Sequence, residues 1–377
     1  MWRALRLKIE KIGSDKIYRI LYVVIMSVIV SIVLVLILTA SAGEKRPVKV
    51  GCVFNGSVSE AGWNGANYEG ISAACDSAGL ELAVRENIPE EEMACLSAVS
   101  SLTSEGCEVI FLVSYGYQNF ADKFVSVYPD VRFCVTGSDC DNDSLIYCLG
   151  RVYEGRYLAG IVAGVTTRTD TIGYVAAMPN NEVNRGINAF TLGVRKVNPD
   201  ARVKVIFTNS WDDSEKEKNA VKSLADASAD IIAYHQDQED VPEACDALGI
   251  DFIGCYEMKG EYSDHYLTSI NCDWKKIYGN ILRFLQTRKK LKNNIFWLGV
   301  SDGAVELTDF SENVSLRARY EVTFAVESMN AGVNVFSGEI YDSEGNLRCQ
   351  EGEAISEKGL IFDMDWYVQG VEIYEDR

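Results

Sequence analysis

Aromatic and amide side chains follow the predicted strands of this chain, and such side chains suit the binding of a flat heterocycle. Asn55, Trp63 and Asn64 stand in the loop that leaves the first strand. A tryptophan face stacks on a planar ring for roughly 1–3 kcal/mol per base, and an asparagine amide offers the ring edge both a donor and an acceptor. We therefore expect these residues to contact a ligand. Trp63 could instead pack against its own helix as a hydrophobic staple.

The loops after the third and fourth strands add further candidates. Tyr115 and Tyr117 flank Gly116, which lets the backbone come close to a ligand while the tyrosines offer ring faces and hydroxyls. Asp139 follows the fourth strand. We expect these three side chains to contact the ligand. The alternatives are packing under the loop for Tyr115 and capping of the next turn for Asp139.

The second half of the chain supplies an aromatic residue that could complete the site. Trp211 comes after a strand and could face Trp63 across a cleft, so that two indoles enclose a planar base. The alternative is a packing role over the following helix, which Asp213 would cap. His235 ends the next strand, and the loop 235–237 is a further part of the expected cleft lining.

The sequence lacks the residue patterns of common catalytic sites. His235 and His265 are its only histidines, and no G-x-S-x-G, H-E-x-x-H or Walker A pattern occurs. A lone histidine at a strand end is more often a hydrogen-bonded or cleft-edge residue than a base. We therefore predict a binding protein with no catalytic residue, no cofactor and no bound metal.

The eleven cysteines show no C-x-x-C spacing, and several stand in apolar strands. Buried cysteine behaves as a small hydrophobe, and a chain of 377 residues does not need a disulfide framework to fold. We expect free buried thiols in preference to disulfides or a metal site.

Short apolar runs alternate with amphipathic runs along the chain, which indicates βαβ units and parallel sheets. The first series has predicted strands at 48–54, 80–85, 108–113, 131–136 and 146–149 and helices at 65–78, 88–103, 118–127 and 153–166. The second has strands at 171–176, 203–207, 230–234 and 251–255 and helices at 182–197, 213–228 and 239–248. The segment Leu267-Thr268-Ser269, a helix at 273–288 and a strand at 296–299 would return the chain to the first lobe, and the tail 319–377 would hold one helix and short strands.

The charge and hydropathy of the N-terminus differ from those of the rest of the chain. The net charge is −19, although residues 1–43 contain six Arg/Lys and only two Asp/Glu, so the body is strongly acidic and would repel nucleic acid. Residues 20–38 carry no charge and suffice to cross a bilayer core of about 30 Å. The basic flank should stay in the cytoplasm, which predicts one membrane helix and an extracytoplasmic body. The alternative is signal-peptide cleavage after Ala42.

Two segments carry a family resemblance. Residues 154–164 read EGRYLAGIVAG, a small-residue helix face that can pack closely against a neighbour, and residues 172–199 read IGYVAAMPNNEVNRGINAFTLGVRKVNP. Both resemble the basic membrane protein family of ABC-importer substrate-binding components, which includes purine nucleoside and nucleobase receptors. The resemblance extends over about residues 47–374. It implies a purine ligand, permease subunits as partners, and ATP hydrolysis by another chain.

The resemblance also implies which residues line the cleft. In the family an aromatic followed by Asn precedes the first helix, as Trp63 and Asn64 do here. Nucleoside-binding members have an Asp where Tyr256 stands, next to Glu257, and a Lys after the crossover that this chain lacks at the matching place. The pattern around Trp274 looks more like the branch thought to bind free purine bases. Tyr256, Glu257 and Trp274 are therefore also candidate ligand contacts.

These observations predict an α/β protein with a two-lobed periplasmic-binding-protein fold of type I, the sugar-receptor type, in which each lobe is a parallel sheet flanked by helices. The ligand would lie between the lobes, outside the carboxyl ends of the strands. After the segment 1–43, lobe 1 is expected at about 46–166 and 270–310, and lobe 2 at about 167–269 and part of 315–377. The expected function is binding of a purine nucleobase or nucleoside for an ABC importer at the cell membrane. A ligand sensor without transport and a nucleoside-processing enzyme are the alternatives.

Overall fold

The computed structural model consists of two units, Met1–Val48 and Lys49–Arg377. The structure describes residues 2, 22–33, 49–60, 62–137, 142, 144–255, 263–286 and 295–374.

The N-terminal unit is described at Trp2 and over a helix at 22–33. Within these described segments, and in those of the body, no helix has both the length and the apolar character that crossing a bilayer requires. The rest of the apolar run 20–38, its basic flank and the residues around Ala42 lie outside the described residues. The N-terminal membrane helix therefore stays a prediction.

A six-stranded parallel sheet forms the first lobe, with the strand order β11-β5-β4-β3-β1-β2. The strands are β1 Lys49–Phe54, β2 Glu81–Arg85, β3 Val109–Val113, β4 Arg132–Thr136, β5 Leu145–Gly150 and β11 Ile295–Leu298. The accompanying helices are α1 Trp63–Ala78, α2 Glu92–Ser104, α3 Ala121–Val127 and α8 Trp274–Gln286. The central strand β3 reads VIFLV and is buried throughout, because helices cover both faces of a parallel sheet.

A seven-stranded sheet forms the second lobe, with the order β12-β10-β9-β8-β6-β7-β15, and only β12 runs antiparallel to its neighbour. The strands are β6 Thr171–Ala176, β7 Arg202–Phe207, β8 Ile231–His235, β9 Asp251–Gly254, β10 Tyr266–Cys272, β12 Val305–Leu307 and β15 Val371–Ile373. The helices are α4 Val152–Thr166, α5 Asn181–Val197, α6 Ser214–Asp226, α7 Asp240–Leu248 and α9 Leu316–Asn330. The tail adds the strand pair β13 Ile340–Tyr341 and β14 Leu347–Cys349, and the helix α10 Glu357–Phe362.

Most predicted strands and helices are found within a few residues of their expected bounds, but four assignments differ. Helix α4, expected at the end of the first lobe, packs on α5 and on β10 of the second sheet. The segment Leu267-Thr268-Ser269 does not cross to the first lobe; it lies inside β10 of the second sheet. Residues 270–310 are divided between the lobes, because β12 pairs with β10 through Cys272 and Val305. The tail has a second helix, α10, which packs beside α5.

Helices α4 and α5 pack at close range through glycines. A Cβ atom built on Gly160 would lie 2.0 Å from the carbonyl oxygen of Phe190, and one on Gly193 would lie 2.0 Å from that of Tyr157. Only glycine permits this approach of two backbones. The expected small-residue helix face is thereby confirmed, and its neighbour is α5.

Side chains satisfy the free ends of several helices. Asn180 precedes α5 and accepts a hydrogen bond from the Val183 amide at 3.0 Å. Asp213 does the same for α6, from the Lys216 amide at 3.2 Å, which confirms it as the N-cap. Ten cysteines lie in the described part of the chain, and all are buried free thiols, as the sequence predicts.

Candidate functional site

A cavity of about 250 Å³ opens where the carboxyl ends of strands from both sheets meet. The first lobe contributes residues at the ends of β4 and β5 and in the segments after β1, β2 and β3, and the second contributes residues at the end of β8 and in the segments after β6, β7 and β8. The lining residues are Asn55, Trp63, Glu90, Ser114, Tyr115, Gly116, Thr136, Leu149, Asn180, Glu182, Trp211, His235 and Asp237. Ligands in open α/β folds bind at this edge of the sheet.

The first residue of α1, Trp63, forms part of the first-lobe wall. Its indole Nε1 donates to the carbonyl oxygen of Val113 at 3.2 Å. The ring meets Trp274 edge-on, with 5.2 Å between ring centroids and 80° between ring planes. Trp63 is half-buried and lines the cavity, so its ring is fixed on one side and open on the other.

Trp274, which we expected to contact ligand, does not line the cavity in this structure. The side chain is 3% exposed and is absent from the cavity lining. It lies behind Trp63 and also beneath Gly70, where an added Cβ would come 2.3 Å from the Trp274 Cβ. Trp274 therefore positions the indole that lines the cavity and is itself part of the core.

The second lobe presents Trp211 to the same cavity. The indole meets the His235 ring edge-on, at 5.4 Å between centroids and 75° between planes. The carbonyl oxygen of Trp211 accepts a hydrogen bond from the Asp237 amide at 3.1 Å. The loops after β7 and β8 are therefore joined, and both predicted indoles, one from each lobe, line one cavity.

The two tyrosines after β3 point in different directions. Tyr115 is exposed and lines the cavity, whereas Tyr117 is fully buried and its hydroxyl donates to the carbonyl oxygen of Ile88 at 2.6 Å. Residues Tyr115–Asn119 form a 3₁₀ turn. With about three residues per turn, positions two apart cannot share a face. Tyr117 therefore does not line the cavity, and this geometry does not support its predicted ligand contact.

The remaining predicted contacts fall into two groups. Asn55 is exposed and lines the cavity. Asn64 does not line it; its amide lies beside Gly56, whose added Cβ would come 2.4 Å from Asn64 Nδ2. Asp139, Tyr256 and Glu257 lie outside the described residues, and their roles stay predictions.

Three carboxylic acids line the cavity, and sequence reasoning missed two of them. Glu90 and Glu182 were not anticipated, whereas Asp237 belongs to the loop 235–237 already expected there. Glu90 accepts hydrogen bonds from the Ser114 hydroxyl and, at 3.1 Å, from the Gly116 amide. The usable signal was position, since Glu90 follows a strand end and Glu182 is in the first turn of a helix that starts at the cleft edge.

Burial and charge shift the titration of two residues on the second-lobe wall. Burial, reinforced by nearby carboxyl groups, raises the pKa of Asp237 to about 7. Burial, together with the neighbouring guanidinium groups of Arg156 and Arg185, lowers the pKa of His235 well below its usual value. The imidazole is therefore neutral near pH 7. Among the described residues, no group of three or more His, Cys, Asp or Glu side chains is arranged to hold a metal ion.

Comparison with protein families gives a match over most of the body. A family model described as "ABC transporter substrate-binding protein PnrA-like" matches residues 47–337. The purine-binding protein of Brucella abortus strain 2308 is 30% identical over 340 residues, which are 89% of this chain and 96% of that protein. TsgA13 of Haloferax volcanii, named as an ABC transporter glucose-binding protein, is 30% identical over 87% of this chain and 81% of its own length. Basic membrane protein A of Borreliella burgdorferi is 22% identical over 238 residues.

Solved structures share the fold. An ABC transporter solute-binding protein from Conexibacter woesei superposes with a TM-score of 0.63 at 17% identity, covering 76% of this chain and 97% of that one. A transcriptional activator of the comK gene from Bacillus halodurans superposes with a TM-score of 0.64 at 22% identity, covering 74% and 96%. The two-lobed α/β architecture is thus that of periplasmic binding proteins.

Proposed function

The chain belongs to the family of PnrA-like ABC transporter substrate-binding proteins, and we propose that it binds a purine nucleobase or nucleoside between its lobes. The observation that carries the proposal is the pair Trp63 and Trp211, which line one cavity from opposite lobes. Each indole can cover one face of a planar ring. A ligand held by both would favour the closed arrangement of the lobes, because neither lobe alone buries both faces.

The relatives support a purine more directly than any other ligand. The Brucella abortus protein is named for purine binding, and the alignment with this chain covers 96% of its length. Polar groups in the lining, among them Asn55, Ser114 and His235, can pair with the donors and acceptors on a purine edge. The family description is that of a binding protein, which favours a non-catalytic role over the hydrolysis of nucleosides.

The transport role and the location belong to the same proposal. ABC importers receive their substrate from a binding protein, so the partners would be permease subunits. The uncharged run 20–38 and its basic flank would hold the protein at the cell membrane with the body outside. A sensor without transport would have the same cavity, and a permease pull-down from the native membrane separates the two roles.

Glucose is the second candidate ligand. One 30% identical relative is named for glucose binding, and carboxylates such as Glu90 and Asp237 accept hydrogen bonds from sugar hydroxyls as readily as from amino groups. A ligand panel must therefore include sugars.

The test is a melting-temperature assay of the purified protein with purine bases, purine nucleosides, pyrimidines, glucose and amino acids. A ligand at 100 times its Kd should stabilise the folded state by about 2.7 kcal/mol. We expect purines alone to raise the melting temperature. Trp63→Ala and Trp211→Ala should each lower affinity by about 1–3 kcal/mol, whereas Tyr320→Ala, at an exposed tyrosine on α9 outside the cavity, should not. Normal binding by both tryptophan variants, or a response to glucose alone, would rule the proposal out, and release of free base from a nucleoside would favour an enzyme.

A further inference from the structure

Among the residues that the structure describes, the cavity lining is acidic and includes no lysine or arginine side chain. Its lining includes the carboxyl groups of Glu90, Glu182 and Asp237, and none of the described lining residues is Lys or Arg. A ligand that enters this cavity meets hydrogen-bond acceptors and negative potential. An anionic group on the ligand would find no cation to pair with among these residues.

The three carboxyl groups do not have equal freedom to bind a ligand. Glu90 already accepts hydrogen bonds from the Ser114 hydroxyl and the Gly116 amide, which hold it against the first lobe. Glu182 lies in the first turn of α5, and Asp237 lies two residues beyond β8. The second-lobe wall therefore brings two carboxyl groups from different elements to one cavity.

The surroundings of Asp237 disfavour its ionised form. The charged groups that act on it are Glu182 on α5, Asp212 after β7 and Glu60 in the first-lobe loop, and all three are acidic. Burial is the larger cause and acts in the same direction. Burial and the three carboxyl groups together raise the pKa of Asp237 to about 7. The neutral ring of His235, on the preceding strand, offers no compensating charge. A ligand that supplies hydrogen-bond donors would relieve this repulsion.

A second feature of the same wall also indicates a ligand. His235 lines the cavity and is 5% exposed, and its Nδ1 has no hydrogen-bond partner within the described part of the chain. A buried ring nitrogen without a partner is unfavourable. A polar ligand edge in the cavity is the natural partner, since the ring faces both that space and Trp211.

We infer that Glu182 and Asp237 select, within the proposed purine class, for rings that carry exocyclic amino groups, and that the acidic wall rejects phosphorylated forms. The inference rests on the proposed function. Amino N–H groups donate to carboxylates, and a hydrogen bond to a charged group contributes enough to change affinity by about tenfold or more. A phosphate would instead face carboxylates, and the described lining residues include no lysine or arginine to offset the repulsion.

Matched ligands test the inference on the full-length protein in detergent. Calorimetry at pH 8 would compare unsubstituted purine with adenine and 2-aminopurine, each of which adds one amino group, and adenosine with its 5′-monophosphate. We expect the aminopurines to bind at least about tenfold more tightly than purine, and the monophosphate to bind at least tenfold more weakly than adenosine. Equal affinities within either comparison overturn the inference.

Two variants and a pH series test whether the Glu182 and Asp237 carboxyl groups cause the preference for amino groups. Asp237→Asn and Glu182→Gln should reduce the preference for amino groups to less than threefold, whereas Asp200→Asn, at an exposed carboxylate at the opposite end of β7, should preserve it. For a group with a pKa of about 7, the ionised fraction rises from about 9% at pH 6 to about 91% at pH 8. The affinity of the wild type for adenine should therefore rise up to about tenfold over this range, and that of Asp237→Asn should not change with pH.

The outcomes separate this inference from the function on which it rests. If no purine of any kind binds, the proposed function fails and the inference with it. If purines bind but the amino groups make no difference, or if Asp237→Asn keeps the preference and the pH dependence, the proposed function stands and the inference is wrong. The melting temperatures of the unliganded variants check that each has folded.

Discussion

Replacing Gly193 by alanine should disrupt the close packing of helix α4 against helix α5. The added Cβ would lie 2.0 Å from the carbonyl oxygen of Tyr157, and 2.9 Å from the carbonyl carbon. Contacts under 3.0 Å essentially do not occur for real Cβ atoms. Because the opposing atom belongs to the backbone of a helix, no side-chain rotation can remove the overlap, and the helix axes must separate by about 1 Å.

The expected free-energy change is the sum of two opposing effects. Alanine is intrinsically favoured over glycine in a helix by about 1 kcal/mol. Overpacking of a well-packed contact costs about 1–3 kcal/mol and occasionally more, and a backbone–backbone overlap of this depth belongs at the upper end of that range. We expect Gly193→Ala to lower the free energy of unfolding by about 2 kcal/mol.

Gly279→Ala is the matched control. Gly279 is also inside a helix, α8, but a Cβ at that position meets no atom within 4 Å. This variant should gain about 0.5–1 kcal/mol from helix propensity and from the reduced entropy of the unfolded chain. Urea unfolding followed by circular dichroism measures both changes. A Gly193→Ala protein as stable as Gly279→Ala would refute the close packing of α4 on α5.

Two further predictions concern other parts of the chain. Burial raises the pKa of Glu217 on α6 to about 7, although the Asp213 amide opposes the shift by donating to Glu217 Oε1. The folded state therefore holds a proton that the unfolded state releases above pH 4.5, so the free energy of unfolding falls as the pH rises from about 4.5 to 7. Glu217→Gln should stabilise the protein by roughly 2–3 kcal/mol at pH 8 and little at pH 5. Urea unfolding at both pH values measures the change, and Glu215→Gln, at an exposed residue of the same helix, is the control. Mass spectrometry of the mature chain should find residues 1–42 still attached, and a new N-terminus at Gly43 would mean that the apolar run is a cleaved signal.

Local patterns in the sequence were sufficient for most of the fold. Strands such as β3 and β6 are short apolar runs between turn residues, and their bounds depend little on distant contacts. The close packing of α4 was also readable, because small residues recur along one face of residues 154–164. The pairing of β10 with β12 was not readable, since its partner lies more than thirty residues away and Val305–Leu307 is too short to show a strand pattern.

The sequence predicted those lining residues that lie at or shortly after a strand end. It did not predict the lining residues that other segments, such as the first turn of α5, bring to the cavity. Asn55, Trp63, Tyr115, Trp211 and His235 all lie at or shortly after strand ends, and all line the cavity. Two of the predicted contacts lie outside the cavity lining because of local geometry that the sequence leaves undetermined: a 3₁₀ turn places Tyr117 in the core, and the packing of α8 on α1 places Trp274 behind Trp63. Residue type alone could not distinguish an aromatic that lines the cavity from one that packs behind the lining.

The backbone conformation of Gly62 links the indole of the first lobe to the acidic wall of the second. Gly62 has φ +79°, which non-glycine residues rarely adopt, and an added Cβ would lie 2.3 Å from the carbonyl oxygen of Asp237. The loop before α1 therefore touches the loop after β8 at the edge of the cavity. Because Trp63 follows Gly62 directly, the same contact brings the backbone that carries the indole next to the backbone that carries the Asp237 carboxyl, and both side chains line the cavity. The local sequence marks Gly62 only as a turn residue. Its role as a point of contact between the lobes depends on Asp237, 175 positions further along the chain. The sequence therefore predicted many of the residues that line the cavity, but not the contact that joins the two lobes at its edge.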